Sequence, residues 1–556
     1  MSGPGSPPRR VVVVGGVAGG MSAATRLRRL DEDADIVVLE RSAHVSYANC
    51  GLPYFVGGVI EEEDSLLLQT PERLFERFRL DVRVNTEALA IDPAQRRVRL
   101  ATAGGAVDSL RYDMLVLSPG AAAVRPPLPG FHRAHVLRTV EDAERLAVDA
   151  MERPRSAVVV GAGFVGLETA ENLTNRGIPT TVVEQAPQVL SPLDPELAVL
   201  VAAELVRHGV RVETRAAVAE VTECGVTLAD GRQIPGDLVV AAVGVRPDVR
   251  LAEMAGLAIG PNGGISVDGD GRTSDPYIYA VGDAVEKADL VGGGSSIITL
   301  ANVANRQGRR VADHIAGRRV RLAPSQGTAI VKVFDLVAAV TGWNEARLRQ
   351  AGRPYRVVRS HPANHASYYP GAEQMSLKLL FDAADGTILG AQAVGGAGVD
   401  KRIDVLATAI TGGLRAEELA DLELAYAPPF SSAKDPINML GYMAENILSG
   451  DCDVVETDEI RDLQEAGWTL LDVRTASEYA AGAIPDSVHV PLDELRERVD
   501  ELRGAPCLVY CEVGQRGHTA TRLLHELGHK ARNLNGGYRT WRAVQAASAG
   551  EPSRLL

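Results

Sequence analysis

Cys50 has the sequence surroundings of a reactive thiol. In the segment SYANCGLPY, Asn49 is predicted to cap a helix that starts near Cys50 and tolerates Pro53 in its first turn. A helix N-terminus favours the thiolate form of a cysteine. The alternative is a buried structural cysteine, the usual fate of a lone one. No second cysteine follows within the next turns, so Cys50 would pair with a substrate sulfur or become oxidised itself.

Cys511 is the second candidate nucleophile. It ends the apolar segment APCLVYC and opens a loop with Gly514 and Gly517, whose N–H groups can stabilise a thiolate or persulfide. Arg516 supplies a cation. A Cys-x5-Arg phosphatase is the alternative, but this loop is one residue shorter and suits sulfur better than phosphate. Glu512, next to Cys511, would repel a dianion such as thiosulfate.

The elements that would position these cysteines include two copies of one strand–turn–helix–strand unit. The first has a glycine turn at residues 15–20 and ends at Glu40; the second has the turn Gly161-Ala162-Gly163-Phe164-Val165-Gly166 and ends at Glu184. Such turns bind a pyrophosphate, and the acidic residue binds a ribose. Val17 departs from the motif in the first copy. Glu184 followed by Gln185 leaves no cation for a 2′-phosphate, which favours NADH, although a neighbouring arginine could still admit NADPH.

Composition excludes several classes of function. The net charge of −14 argues against nucleic acid as a partner, and the sequence has no apolar run long enough to cross a membrane. Five scattered cysteines predict neither a disulfide framework nor, without a Cys-x-x-Cys pair, a zinc site, so no metal is expected. The start lacks the apolar core of a signal peptide, so we expect a cytoplasmic protein.

The pattern predicts an α/β protein of four domains. Two Rossmann-type domains bind dinucleotides, a third domain of strands and helices follows, and a compact α/β domain ends the chain. The predicted boundaries are a flexible tail at 1–9, the first dinucleotide-binding domain at 10–150 and 246–325, the second at 151–245, the third domain at 326–445, a linker at 446–458 and the final α/β domain at 459–556.

The two nucleotide units, the segment SYANCGLPY and the later YIYAVGDA resemble the FAD-dependent pyridine nucleotide–disulfide oxidoreductases over about residues 10–445. The single cysteine is similar to that of the coenzyme A-disulfide reductases. The resemblance implies that the domain at 10–150 and 246–325 binds FAD, that the domain at 151–245 binds NAD(P)H and that the domain at 326–445 is an α+β dimerisation domain. The resemblance implies FAD contacts at Gly15, Ala18, Gly19, Gly20, Glu40, Arg41, Gly120 and Asp283, and NAD(P)H contacts at Gly161, Gly163, Gly166 and Glu184. It implies coenzyme A contacts at Ser22, Arg26, Arg29, Ser46, Asn49 and Lys434. From spacing alone, the arginines would be a solvated helix face.

The same resemblance implies that Tyr368 and Tyr426 lie near the reactive sulfur. A tyrosine hydroxyl is a reasonable proton donor to a leaving thiolate, whereas a buried tyrosine is more often a packed ring. In this family the 326–445 domain forms the interface of a homodimer and completes the partner's site.

The C-terminal motifs LDVR (471–474), YCEVGQRG (510–517) and LNGGYRTW (534–541) resemble a rhodanese domain. The fusion predicts a reductase of coenzyme A persulfides, polysulfides and disulfides, of the NADH-dependent persulfide reductase type, in which Cys511 relays sulfane sulfur. One alternative is an NADH oxidase that cycles Cys50 through a sulfenic acid. Another is a sulfurtransferase that feeds a partner protein, and a rhodanese fold without catalysis also stays open.

Overall fold

The structure is a computed structural model that describes residues 9–152, 154–502 and 504–556. The chain forms two compact units: unit 1 consists of the chain up to Val183 and Ala216–Gly327, and unit 2 of Glu184–Arg215 and Thr328–Leu556. Of the predicted tail at 1–9, all but Arg9 lies outside the described residues. Within the described residues, no helix combines the length and apolar character needed to cross a membrane.

Up to Val183, unit 1 contains strands β1 Arg10–Val14, β2 Asp35–Leu39, β3 Asp81–Arg83, β4 Thr86–Asp92, β5 Arg97–Thr102, β6 Val107–Arg111, β7 Met114–Leu117, β8 Ala121–Ala123, β9 Ala157–Val160 and β10 Thr180–Val183. The helices of this stretch are α1 Ala18–Arg28, α2 Leu52–Gly57, α3 Pro71–Phe78, α4 Val140–Met151 and α5 Phe164–Asn175. In unit 2, α6 Pro195–Arg207 and β11 Arg211–Glu213 follow. Unit 1 resumes with β12 Val218–Thr222, β13 Gly225–Leu228, β14 Gln233–Pro235, β15 Leu238–Ala241, β16 Val245–Pro247, α7 Arg250–Met254, β17 Ile278–Ala280, β18 Glu286–Ala288, β19 Ser295–Ile297 and α8 Ala301–Ile315.

The rest of unit 2 begins with β20 Ala329–Val333, β21 Leu336–Gly342, α9 Glu345–Gln350, β22 Arg356–Ser360, β23 Met375–Phe381, β24 Ile388–Gly395, α10 Val399–Gly412 and α11 Pro436–Leu448. It ends with β25 Val454–Val455, α12 Ile460–Glu465, β26 Thr469–Asp472, α13 Ala476–Ala480, β27 Val488–His489, α14 Leu495–Arg498, β28 Cys507–Tyr510, α15 Gln515–Glu526, β29 Ala531–Leu534 and α16 Gly537–Ala549.

The main sheet of unit 1 is parallel, with strand order β17-β7-β1-β2-β3. Its central strand β1 is apolar on both faces: Val11 and Val13 pack in one core cluster and Val12 and Val14 in another. A parallel sheet covered on both faces requires such continuous apolar strands. Strands β10, β9 and β15 form a second parallel set, in that order. In each parallel set one strand is followed by a glycine turn and a helix: β1 leads to α1, and β9 leads to α5.

Unit 2 contains one antiparallel and one parallel sheet. The antiparallel sheet has the order β20-β21-β24-β23-β22, and α10 packs on β21 and β24. The parallel sheet, β25-β29-β28-β26-β27, has the strand before Cys511 at its centre. The predicted linker at 446–458 contains the edge strand of this sheet, Val454–Val455. This part of the linker is a strand because pairing with β29 satisfies its backbone groups.

A buried ionic network joins the antiparallel sheet of unit 2 to α6 and to the segment that enters the parallel sheet. Lys378 Nζ contacts the carboxylates of Asp194 (2.7 Å), Glu196 (2.6 Å) and Glu345. Arg359 contacts Glu196 (3.1 Å), Glu345 (2.9 Å) and Glu456. Both cations are buried, so each depends on these carboxylates for compensation.

Candidate active sites

The first glycine turn has the backbone that a dinucleotide requires. Gly15 has φ +101°, and a Cβ there would lie 2.0 Å from the carbonyl oxygen of Ser118. A Cβ on Gly20 would lie 1.9 Å from the carbonyl oxygen of Gly15, so α1 packs on the turn only because it lacks a side chain there. Glu40 points at this turn and accepts a hydrogen bond from the Gly16 N–H at 2.7 Å. The donor set and the close helix approach fit FAD.

The other residues predicted to contact FAD lie in unit 1 as well. Ala18 and Gly19 begin α1 after Val17, which occupies the N-cap position. The remaining three are Arg41, which pairs with Asp248 at 3.2 Å, Gly120, which has φ +75°, and Asp283, which pairs with Arg138 at 2.9 Å. Their contacts with FAD stay a prediction.

The second glycine turn repeats this arrangement. Gly161 has φ +101°, and a Cβ on Gly166 would lie 2.1 Å from the Gly161 carbonyl oxygen. Gly163 is exposed, and a Cβ there would meet no described atom within 4 Å, so the start of α5 is open to a ligand. This fits a second pyrophosphate. Glu184, in unit 2, directly follows β10 in sequence and accepts a hydrogen bond from the Ala186 N–H at 2.8 Å.

Cys50 is exposed and lies in a single 3₁₀ turn, Asn49–Gly51, which precedes α2. The predicted cap is wrong: Gly51 occupies the N-cap position of α2, and the side chain of Asn49 makes no capping bond there. Pro53 lies in the first turn, as predicted. Because α2 has only six residues, its dipole is small and gives the Cys50 thiolate little stabilisation.

The electrostatics around Cys50 also differ from the prediction. Partial burial of the thiol and the charge of Glu168 raise the pKa of Cys50, and Arg138 opposes them. Glu168 lies on α5 and accepts a hydrogen bond from the Tyr54 hydroxyl at 3.4 Å. Burial raises the pKa of Glu168 to about 7. The site therefore holds the cysteine largely as the thiol and places a carboxyl that titrates near neutrality beside it.

Arg138 connects three parts of the Cys50 site and was missed by the sequence analysis. Its guanidinium donates to the Ala121 carbonyl at 3.0 Å and pairs with Asp283. Asn49 donates to the Arg138 carbonyl at 2.9 Å and accepts from its Nη1 at 3.1 Å in the amide orientation that satisfies both atoms. Arg138 and Glu168 have no local motif, because their roles depend on segments far apart in sequence.

The predicted coenzyme A residues of α1 face helix α8. Ser22 donates to Asn305 at 2.8 Å, and Arg26 pairs with Asp313 at 2.7 Å. Arg29 is exposed at the surface. Partial burial of its guanidinium, together with the like charges of Arg26 and Arg309, lowers its pKa. The result is a basic surface on a chain of negative net charge, to which α8 adds Arg309. Ser46 lies in unit 1 in the left-handed region, with φ +52°.

In unit 2, the structure brings together the two predicted tyrosines. The hydroxyls of Tyr368 and Tyr426 are 3.0 Å apart, and both rings are exposed, at 73% and 49%. Lys434 is exposed as well, and Phe430 is 71% exposed. A cluster of exposed aromatic rings is typical of a surface that another protein or ligand covers.

Cys511 follows β28 directly and is fully buried. Its Sγ accepts a hydrogen bond from the Gly514 N–H at 3.2 Å, and Gly514 has φ +92°. Arg516 forms two hydrogen bonds to Glu478, at 2.6 and 2.8 Å, and these, with the nearby Cys511, raise the pKa of Arg516. Gly517 belongs to α15 rather than to the loop. A Cβ at this position would lie 2.3 Å from the Asn533 amide oxygen, so the close packing of the helix requires glycine.

Glu512 does not act on Cys511 as an uncompensated charge. Its carboxylate pairs with Arg474 at 3.3 Å and lies 3.9 Å from Arg539. The backbone N–H groups of Tyr538 and Arg539 donate hydrogen bonds to the carbonyl oxygens of Cys511 and Glu512, with N···O distances of 2.8 and 3.0 Å respectively. The expected repulsion of a dianion by Glu512 is therefore weaker than the sequence predicts.

Known protein families match the chain along most of its length. The model of the pyridine nucleotide-disulphide oxidoreductases matches residues 9–308, that family's dimerisation domain matches 328–436, and the rhodanese-like domain matches 456–544. A coenzyme A disulfide reductase of Staphylococcus haemolyticus and an NADH oxidase of Methanocaldococcus jannaschii are 34% and 33% identical to the chain. Each covers 79% of it, and the alignments include 100% and 99% of the two relatives.

Two solved structures extend the likeness over the whole chain. Reduced CoADR-RHD of Bacillus anthracis has a TM-score of 0.95 at 44% identity, over 97% of this chain and 98% of that one. The NAD-dependent persulfide reductase of A. fulgidus has a TM-score of 0.90 at 40% identity, over 96% and 100%. With the glycine turns and both cysteine sites in place, this chain belongs to the pyridine nucleotide-disulphide oxidoreductase family, as an FAD- and NAD(P)H-dependent enzyme with a C-terminal rhodanese-like domain.

Proposed function

We propose that this enzyme uses NADH to reduce coenzyme A persulfides and disulfides at Cys50, with sulfane sulfur supplied by Cys511. One observation carries the proposal: unit 1 contains the exposed Cys50 and a cluster of arginines on α1 and α8, and unit 2 contains the buried Cys511 in a rhodanese-type loop. A reductase of plain disulfides has no use for a sulfur carrier. The similarity to a coenzyme A disulfide reductase and to a persulfide reductase supports both substrate classes.

Cys50 can reduce either substrate through a covalent intermediate. The Cys50 thiolate attacks one sulfur of coenzyme A disulfide, forms a Cys50–coenzyme A disulfide and releases one coenzyme A thiolate; two electrons then regenerate the Cys50 thiolate and release the second. With coenzyme A persulfide, Cys50 takes the outer sulfur, coenzyme A leaves as thiolate, and two electrons release sulfide. Bound FAD supplies the path for these electrons from the nicotinamide. Glu168 and Tyr54 lie near the sulfur and can exchange a proton with it.

Coenzyme A is proposed to lie along α1 and α8. Ser22, Arg29 and Ser46 supply polar groups, and Asn49 lies beside Cys50. The clustered guanidinium groups of α1 and α8 suit the phosphates of coenzyme A. Arg26 is held by Asp313, so we expect it to stabilise this surface more than to bind phosphate directly.

We further propose a homodimer in which the exposed aromatic surface of unit 2 meets a second copy. Tyr368, Tyr426 and Lys434 would then complete the partner's site, and the tyrosine pair would donate a proton to the leaving thiolate. The match to the dimerisation domain supports this assembly. We also propose a cytoplasmic location, because the substrates proposed here, NADH and coenzyme A derivatives, are cytoplasmic metabolites.

The nicotinamide preference is proposed from Glu184. A carboxylate at the end of β10 suits the 2′-hydroxyl of NADH and repels the 2′-phosphate of NADPH. We expect kcat/KM for NADH to exceed that for NADPH, and Glu184→Gln to reduce the difference, as steady-state kinetics can measure.

The test compares anaerobic NADH oxidation with coenzyme A disulfide, coenzyme A persulfide and polysulfide. We expect persulfide to turn over faster than disulfide. Cys511→Ser should lower the rate with polysulfide and leave the rates with the two coenzyme A substrates unchanged. Cys224→Ser, which changes an exposed cysteine of the β12–β13 turn, is the matched control. Preference for disulfide, with no effect of Cys511→Ser, would contradict the sulfur relay and leave a disulfide reductase.

An NADH oxidase is the second candidate, because the exposed Cys50 could cycle through a sulfenic acid and one relative has that activity. Rapid oxygen consumption with NADH and no sulfur acceptor would favour it. A sulfurtransferase that feeds a partner protein would instead transfer sulfur from Cys511 without NADH.

A further inference from the structure

We propose that Glu204, His208 and Asp335 of unit 2 form a binding site for a divalent transition metal, with Zn²⁺ as the expected ion. Glu204 and His208 are one helical turn apart at the end of α6, so their side chains lie on the same face. Asp335 lies in the tight turn between β20 and β21. Their ligand atoms all lie within 4.8 Å of one another.

The imidazole of His208 is held in place by stacking. Its ring lies parallel to that of Phe334, with 4.0 Å between the ring centres. Phe334 has φ +52°, an uncommon conformation for a bulky residue, and it turns the chain so that Asp335 faces α6. The backbone N–H of Asp335 donates to Glu204 at 3.1 Å, which fixes the two acidic residues relative to each other. The three side chains are thus arranged before any ion binds.

Within the residues that the structure describes, the ring nitrogen of His208 that faces the carboxylates has no hydrogen bond. His208 Nε2 is buried and lacks a hydrogen-bond partner in the described part of the chain, although Glu204 Oε1 is 3.2 Å away and Asp335 Oδ2 is 3.4 Å away. Ligand atoms bonded to a tetrahedral Zn²⁺ at about 2.1 Å are about 3.4 Å apart. These two separations therefore match the edges of a zinc coordination tetrahedron.

The chemistry of the donors selects the class of metal. One imidazole nitrogen and two carboxylate oxygens suit Zn²⁺ and its neighbours, whereas Mg²⁺ and Ca²⁺ prefer oxygen ligands alone. Three protein ligands leave the fourth position to water. A bound ion would tie the end of α6 to the β20–β21 turn, so it should stabilise unit 2.

Arg207 is the competitor for this site. Its guanidinium contacts both oxygens of Glu204, at 2.8 and 2.9 Å, and Asp335 at 3.3 Å. The side chain is half exposed, so it can leave the carboxylates without losing a buried environment. Removal of Arg207 should therefore strengthen metal binding, whereas removal of a true ligand should abolish it.

The test uses the full-length, FAD-loaded protein with Cys50→Ser and Cys511→Ser, because thiolates themselves bind these ions. After chelator treatment and dialysis, we expect calorimetry to detect one Zn²⁺ per chain and Co²⁺ to give the visible absorption of a tetrahedral site. His208→Gln and Asp335→Asn should remove both signals; Asp335 lies in an exposed turn, so the second variant tests the ligand without disturbing the core.

Two further variants decide the outcome. Arg207→Ala should bind Zn²⁺ about tenfold more tightly, because one competing positive charge is gone. His44→Gln is the matched control, since His44, Glu63 and Glu144 form a similar group in unit 1. The proposal is wrong if the parent binds no Zn²⁺, or if binding survives His208→Gln and Asp335→Asn. Loss of binding in His44→Gln would assign the ion to the group in unit 1 instead.

Discussion

The two cysteine sites show how the same side chain is given opposite environments. Cys50 is exposed at the surface and precedes a short helix, and partial burial of its thiol together with the charge of Glu168 raises its pKa. Cys511 is buried, accepts a backbone N–H, and has a guanidinium next to it. The first environment suits a thiol that waits for a bulky substrate, and the second suits a persulfide shielded from solvent. The residue type supplies the sulfur, and its neighbours decide what the sulfur does.

The strongest test separates the two cysteines. Cys50→Ser should lower NADH-dependent turnover of coenzyme A disulfide by at least about a thousandfold, because the covalent step needs the sulfur. Sulfur transfer by Cys511 should be unchanged. Steady-state kinetics on both reactions checks this. Equal loss of both reactions would show that the two sites do not act independently.

The second prediction concerns the buried ionic network that stabilises unit 2. Lys378→Met leaves the buried carboxylates of Asp194, Glu196 and Glu345 without their shared cation and should destabilise unit 2 by about 3–5 kcal/mol. Chemical denaturation measures this. Lys401→Met is the control, because its ion pair with Asp435 is partly exposed and worth less than about 1 kcal/mol. Alkylation of Cys50 in the native protein should not change.

Arg516 tests the electrostatic part of the Cys511 site. Arg516→Ala should lower sulfur transfer about a hundredfold, because it removes the cation that faces the developing negative charge. Arg516→Lys should restore part of the rate. Arg522→Ala, a partly exposed position on the same helix α15, is the control, and an equal loss in that variant would point to a general effect on the helix.

The smallest effect is expected at Glu168. Glu168→Gln removes a negative charge near Cys50, so it should lower the pKa of Cys50 and speed alkylation by iodoacetamide about threefold at about pH 8. The pKa of Glu168 is raised to about 7, so below this pH the native side chain is neutral and the two proteins should converge. Glu76→Gln, exposed on α3, is the control. Parallel pH profiles would rule out the coupling.

The same raised pKa has a consequence for stability. A carboxyl that binds its proton more tightly in the folded state favours folding at low pH, and this contribution disappears as the pH rises from the ordinary glutamate value through about 7. Glu168→Gln should therefore make the native protein relatively more stable above about pH 7. Thermal unfolding of the two proteins across this range measures the difference.

Local sequence was enough to predict the parts of the sites that depend on backbone conformation. Gly15 and Gly161 both adopt the left-handed conformations that their turns need, and Cys511 does follow a buried strand. The prediction failed where a short segment had to be compared with distant ones. The cap expected at Asn49 is wrong because its side chain is held by Arg138, almost ninety residues away in sequence.

The sequence by itself determined the family and the two nucleotide-binding turns, and it singled out Cys50 and Cys511 as the candidate nucleophiles, because each of these signals is encoded by residues close together in the chain. Only the tertiary structure decided the surroundings of those cysteines: Glu168 and Arg138 near Cys50, Arg474 and Arg539 on Glu512, and the carboxylates around Lys378. Electrostatic interactions act through space over a few ångströms, and folding brings together charges that the sequence separates by tens to hundreds of residues.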